Sequence, residues 1–167
     1  MNIYLVGFMG TGKTVVGKAL AKKLSLEFVD LDLVIEENEK RHISDIFKED
    51  GEAYFRQKEK EAVREITRRK DMVVAAGGGA VIDPENIKMF KENGVIICLS
   101  ASADVILQRT QKETHRPLLH VDDPEKRIKD LLEKRAAYYA KADYTVDTTH
   151  KSVEDIADGI IDLLNKE

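Results

Sequence analysis

The stretch Gly7-Phe8-Met9-Gly10-Thr11-Gly12-Lys13-Thr14 carries the most specific chemistry in the chain. It meets the pattern G-x-x-x-x-G-K-[ST] at each fixed position. Glycines at this spacing let successive backbone N–H groups turn toward one cluster of anionic oxygens, and the N-terminus of a following helix adds its dipole. Gly10, Thr11, Gly12, Lys13, Thr14 and Val15 are therefore expected to hold the phosphates of a nucleoside triphosphate. Lys13 reaches the β- and γ-phosphates, and the Thr14 hydroxyl is a ligand for Mg²⁺.

A second group of residues suggests what receives the phosphoryl group. Asp30 and Asp32 follow a short apolar run, and if strand geometry persists both point to one side. One carboxylate then helps hold the metal while the other accepts a proton from an attacking hydroxyl; the alternative is an Asp that merely caps the next helix. Glu59 falls on the apolar stripe of a helix, an expensive place for a lone carboxylate. Arg56, three residues earlier, can pair with it, either to aim a guanidinium at an anionic substrate or as an ordinary surface pair. Gly77-Gly78-Gly79 ends another β-run; it reads as a close backbone approach or as a flexible turn. Arg135 lies on the buried-looking face of a late helix and needs an acidic partner or an anionic ligand. Residues 112–124 show no periodicity and read as a functional lid. Within them Arg116 is placed to clamp a transferring phosphate, against the alternative of solvent exposure. His115 and His120 read as solvated loop residues.

These residues need a scaffold that gathers them. Five β-runs (2–6, 27–30, 72–76, 95–99 and 143–146) alternate with helical stretches (14–24, 33–40, 44–50, 52–69, 84–93, from Ser102, 125–140 and from Ser152). Gly51 breaks the pattern between two of them. Asp83-Pro84 is a helix start with Pro at its first position, and Ser152 with Asp155 resembles a capping box. Such alternation predicts an α/β fold, a parallel sheet covered by helices on both faces in three layers. Ligands then bind beyond the carboxyl ends of the strands, where the glycine loop and Asp30 both fall.

Bulk properties narrow the class. The 167 residues suit one domain, residues 1–167, with 43% apolar and 35% charged residues and a net charge of −4. That charge argues against a nucleic-acid partner. No apolar run approaches the ~20 residues of a membrane span, and no leader-like N-terminus is present, so a cytoplasmic protein is expected. The single cysteine, Cys98, sits in an apolar run and reads as a small core residue.

Taken together, Gly7–Thr14, Asp30-Leu31-Asp32, Ile46-Phe47, Gly51-Glu52, Phe55-Arg56, Glu59, Gly77-Gly78-Gly79-Ala80-Val81, Arg116-Pro117-Leu118-Leu119 and Lys134-Arg135 with Tyr139 closely resemble the shikimate kinase family, over nearly the whole chain. The resemblance implies a P-loop NTPase fold with parallel strand order 2-3-1-4-5. It implies transfer of the ATP γ-phosphate to the 3-hydroxyl of shikimate, with ATP and Mg²⁺ required, in the route to chorismate and aromatic amino acids. Lys13, Asp32 and Arg116 would be catalytic, and Thr14 and Asp30 would serve the metal. Asp32, Arg56, Glu59, Gly77, Gly78, Gly79 and Arg135 would bind shikimate, with Arg56 and Arg135 on its carboxylate. Arg109, Arg116 and, as a weaker match, Lys151 would join the nucleotide site. Residues 33–69 would be the substrate-binding helices, and a monomer is expected. Ala137 departs from the Pro that many members carry there. A gluconate or nucleoside-monophosphate kinase would share loop and lid but would not account for Arg56, the glycine run and Arg135 together. An inactive regulatory module would lack equivalents of Lys13, Asp32 or Arg116, and all three are present.

Overall fold

Strand β1 (Asn2–Val6) is buried along its whole length because it occupies the centre of a five-stranded parallel sheet. The computed structural model describes residues 1–111 and 121–166. Its sheet runs β2 (Glu27–Asp30), β3 (Met72–Ala75), β1, β4 (Gly94–Ser100), β5 (Tyr144–Asp147), the order 2-3-1-4-5. The helices are α1 (Lys13–Leu24), α2 (Leu31–Glu39), α3 (Ile43–Thr67), α4 (Pro84–Asn93), α5 (Ala103–Thr110), α6 (Pro124–Tyr139) and α7 (Val153–Asn165).

Alternation along the central strands sorts their side chains into two cores. Tyr4, Val6, Met72, Val74, Ile96 and Cys98 pack with α3 and α4 on one face. The rings of Tyr4 and Phe90 stack there, 4.3 Å between centroids. Ile3, Leu5, Val73, Val95, Ile97 and Leu99 pack with Val16, Leu20 and Ala21 of α1 and Ile156, Ala157 and Ile160 of α7 on the other. Each such buried aliphatic side chain contributes about 1.5–3 kcal/mol by leaving water. A third cluster, Phe8, Ile106, Ile128 and Leu131, fastens α5 and α6 to the loop after β1. Cys98 belongs to the core, and burial pushes its thiol up to about 11, so it is no nucleophile.

Two local features differ from the sequence expectation. Strand geometry does not persist from Asp30 to Asp32. Asp30 caps α2, accepting from the backbone N–H groups of Asp32 and Leu33, and the helix begins at Leu31. The cap ends the strand because it satisfies N–H groups that a helix start leaves open. After the glycine run a short 3₁₀ turn, Ala80–Ile82, carries the chain to α4. Elsewhere the breaks fall as expected: Gly51 holds φ 84, ψ 174 and kinks α3, and Asp83 caps α4 by accepting from Glu85 N–H. Among the described residues no helix is long and apolar enough to cross a membrane.

Candidate active site

The loop from Gly7 to Gly12 joins β1 to α1 and opens at the carboxyl edge of the sheet. Gly10 and Gly12 hold φ 77 and 99, conformations costly for any residue with a Cβ. Gly12 is the left-handed N-cap of α1, so the first free N–H groups of that helix face the loop's concavity. The Lys13 ammonium donates to the carbonyls of Gly7 at 2.6 Å and Phe8 at 3.2 Å, arching back across the loop. Val15 is exposed at the mouth of the helix.

Asp30 serves two functions from one position. Its Oδ1 accepts the two capping N–H groups, and its Oδ2 lies 3.4 Å from the Thr14 hydroxyl. A hydroxyl and one carboxylate oxygen this close fit a shared Mg²⁺, which takes few protein ligands and completes its shell with phosphate oxygens and water. No group of three or more His, Cys, Asp or Glu among the described residues forms a metal cage of its own.

The glycine run gathers the remaining polar groups, and its three Cα positions map them. A Cβ on Gly77 would come within 2.9 Å of Asp32 Oδ1 and 3.2 Å of Glu59 Oε2. One on Gly78 would lie 3.4 Å from Arg135 Nη1, 3.5 Å from the Gly7 carbonyl and 3.6 Å from the Met9 nitrogen. One on Gly79 would sit 2.4 Å from Arg56 Nη2. The run is bare because side chains from α2, α3 and α6 and the phosphate loop all converge on it. Asp32 reaches it from the first turn of α2 rather than from a strand end.

Electrostatics sharpen the picture. Glu59 is 1% exposed and accepts from Arg56 Nη1 at 3.0 and 3.2 Å. Burial lifts its carboxyl to about 7, against the pull of Arg56 and Arg135. Arg56 also reaches Glu52 at 3.4 Å. Arg135 is 7% exposed, with its guanidinium carbon 5.5 Å from the Phe8 ring centroid. No carboxylate of the described residues makes an ion pair with Arg135, so a buried guanidinium faces the glycine run with a π face behind it. Two guanidiniums and two carboxylates thus surround a bare stretch of backbone beside a phosphate loop. That set has the charge and the open space to hold a small carboxylate that also bears a hydroxyl.

Arg109 lies on the other side of the phosphate loop. It donates to the Gly10 carbonyl at 3.1 Å, to the Thr148 hydroxyl at 3.2 Å and to the Thr148 carbonyl at 3.1 Å. Lys151 is exposed in the same turn, after β5. Arg116, with His115 and His120, lies outside the described residues.

Three residues of this region were not assigned to the site from the sequence. Phe8 backs Arg135. Tyr139, four residues after Arg135 and so on its helix face, donates from its hydroxyl to the Gly78 carbonyl at 2.7 Å. That spacing was a signal available in the sequence. Thr148 is 1% exposed and within hydrogen-bonding distance of the Thr11 and Ser100 carbonyls, at 2.9 and 3.0 Å. Nothing local marks it; only the fold brings it to the loop.

Comparison with known proteins agrees with this geometry. The family model described as shikimate kinase matches residues 9–165. A shikimate kinase from Thermodesulfovibrio yellowstonii is 52% identical over 160 residues, covering 96% of this chain and 92% of the relative. The structure of shikimate kinase from Acinetobacter baumannii in complex with shikimate superposes with a TM-score of 0.95 at 41% identity, covering 99% of this chain and 93% of that one. The crystal structure of shikimate kinase from Aquifex aeolicus gives a TM-score of 0.87 at 34% identity, covering 99% and 96%. With its phosphate loop, its paired arginines and near-complete coverage by these relatives, this chain belongs to the shikimate kinase family.

Proposed function

We propose that this chain transfers the γ-phosphate of ATP to the 3-hydroxyl of shikimate, with the acceptor seated on the glycine run. The observation that carries the reading is the convergence of Arg56, Arg135 and Asp32 on Gly77–Gly79 beside the phosphate loop. Arg56 and Arg135 grip the carboxylate, Glu59 aims Arg56, and Asp32 faces the ring hydroxyls. Phosphoryl transfer depends on alignment and charge neutralisation more than on covalent chemistry. Lys13 swings from the loop carbonyls onto the β- and γ-phosphates. Asp32 accepts the hydroxyl's hydrogen bond, orients its lone pair at the γ-phosphorus and takes the proton as the new O–P bond forms, while the bond from the γ-phosphorus to the β–γ bridging oxygen breaks and ADP leaves. Thr14 and Asp30 would hold Mg²⁺, which would supply positive charge against the phosphates. Residues 33–69 supply the acceptor side. We further propose that it acts on small molecules as a cytoplasmic monomer.

A coupled ADP-release assay with Mg-ATP and either shikimate, gluconate, AMP or no acceptor tests the substrate. Turnover with shikimate alone is expected; equal turnover with gluconate, or ADP release without an acceptor, rejects it. For the site, Arg135→Ala removes a charge-assisted contact of roughly 1.5–3 kcal/mol. The shikimate KM should rise about 10- to 100-fold with the ATP KM little changed. An unchanged shikimate KM removes Arg135 from the acceptor site.

A further inference from the structure

Tyr139 takes no part in the transfer scheme, yet its hydroxyl spans 61 residues of chain to donate to the Gly78 carbonyl at 2.7 Å. Hydrogen bonds on either side leave this peptide otherwise to itself. Ala76 N–H still donates to the Leu5 carbonyl at 2.9 Å, extending the sheet, and Ala80 N–H to the Gly77 carbonyl at 3.1 Å opens the 3₁₀ turn. Between these anchors three glycines have more accessible backbone conformations than any other residues would. Tyr139 selects one of them. In a trans peptide the N–H runs antiparallel to the C=O, and the described chain has no cis bonds. Fixing the Gly78 carbonyl therefore also fixes the direction of the Gly79 N–H.

Gly78 is the point where the two halves of the site touch. Its Cα neighbourhood includes Arg135 of the acceptor side and Gly7 and Met9 of the phosphate loop. We infer that Tyr139 is a positioning residue: by anchoring the Gly78 carbonyl it sets the separation and angle between the acceptor hydroxyl and the γ-phosphate. Arg135 and Tyr139 lie one turn apart on α6, so a single rigid helix grips the carboxylate and places the wall beside it. The phenol is half-buried, and burial raises its pKa against the pull of Arg135, keeping it a neutral donor.

This role acts on alignment rather than affinity, which gives it a signature distinct from a purely structural bond. When the acceptor hydroxyl is misaligned, water replaces it. A water oxygen then bonds to the γ-phosphorus, the bond to the β–γ bridging oxygen breaks, and ADP, inorganic phosphate and a proton result. Tyr139→Phe deletes only the hydroxyl, and it should be assayed in the full chain with Mg-ATP and saturating shikimate, quantifying ADP, phosphorylated shikimate and inorganic phosphate. With the acceptor misplaced by a fraction of an ångström, kcat should fall about tenfold and inorganic phosphate should accompany product, while the ATP KM stays within about twofold. Wild-type kcat with one product per ADP overturns the inference, whatever happens to thermal stability. Should that variant not fold, Gly78→Val crowds the same point, because the first carbon of its side chain already reaches 3.4–3.6 Å from Arg135, Gly7 and Met9 and its two methyl groups must press beyond that. It should also release inorganic phosphate, and full coupling there overturns the inference equally. The inference rests on the acceptor lying between Arg56, Arg135 and Asp32. An unchanged shikimate KM in Arg135→Ala defeats that placement, whereas a raised KM there with a fully coupled Tyr139→Phe defeats only the role of Tyr139.

Discussion

Gly79→Ala separates the need for space from the need for backbone freedom. Gly79 holds φ −103, ψ 4, a conformation open to alanine, so the backbone itself should accept the change. The added Cβ would lie 2.4 Å from Arg56 Nη2 and 2.6 Å from its Cζ and Nη1. Ordinary carbon contacts begin near 3.5 Å, so the guanidinium must move by roughly 1 Å. Arg56 is a long side chain held at its tip by Glu59, Glu52 and the Phe55 ring, and a flexible tip can shift, so the fold yields there at little cost. Binding does not, because the planar fork loses its alignment with a carboxylate. Loss of one charge-assisted contact of about 1.5–3 kcal/mol corresponds to a shikimate KM raised about 10- to 100-fold. Steady-state kinetics varying each substrate, alongside thermal denaturation, measures this. The expected result is a raised shikimate KM, an ATP KM near wild type and a melting temperature within a few degrees. A wild-type shikimate KM would refute the placement of Arg56 over Gly79. A collapse in stability with unchanged KM would show that the close approach serves folding alone.

Two further predictions follow from groups at the edges of the site. Burial lifts Glu59 to about 7 from 4.5, so the native chain binds this proton more tightly than the unfolded chain; its contribution to stability is fully present below about 4.5 and is lost as pH rises toward 7, by about 3 kcal/mol. Urea denaturation at pH 4.5 and 8 should show Glu59→Gln losing that part of the pH dependence, and a variant with the wild-type slope would refute the assignment. Arg109→Ala removes the bonds from α5 to Gly10 and Thr148; two-substrate kinetics should show the ATP KM rising about tenfold with the shikimate KM unmoved, and equal effects on both would place Arg109 in general stability instead.

What the sequence disclosed depended on how locally each feature is determined. The phosphate loop was legible because its glycines, lysine and threonine act through backbone geometry within eight residues. The alternation of β-runs and helices was legible because the central strands are buried on both faces and read as unbroken apolar runs. The carboxylate pair was half legible. That Asp30 and Asp32 belonged together was plain, but the cap formed by Asp30 competes with continuing the strand, and the cap prevails. Glu59 on an apolar stripe announced a buried charge, yet only the fold shows that Asp32 faces it across Gly77. The Arg109–Thr148 bonds were not legible at all, since they join residues 39 apart that share no periodic pattern.

The strand order explains why features so far apart in sequence serve one reaction. β2, β3 and β1 are consecutive neighbours in the sheet, and adjacent strands stand about 4.8 Å apart. Their carboxyl ends therefore set Asp30, the glycine run and the phosphate loop side by side within about 10 Å. Asp30, the glycine run and the phosphate loop each follow one strand end, and the sheet's hydrogen bonds fix their spacing. Rearranging β2 and β3 would leave every motif intact and separate Asp30 from Thr14, now 3.4 Å apart. Topology is thus as much a determinant of this site as any side chain, because the parallel pairing of β1 with β3, both buried along their length, carries the phosphate loop and the glycine run out of the sheet side by side.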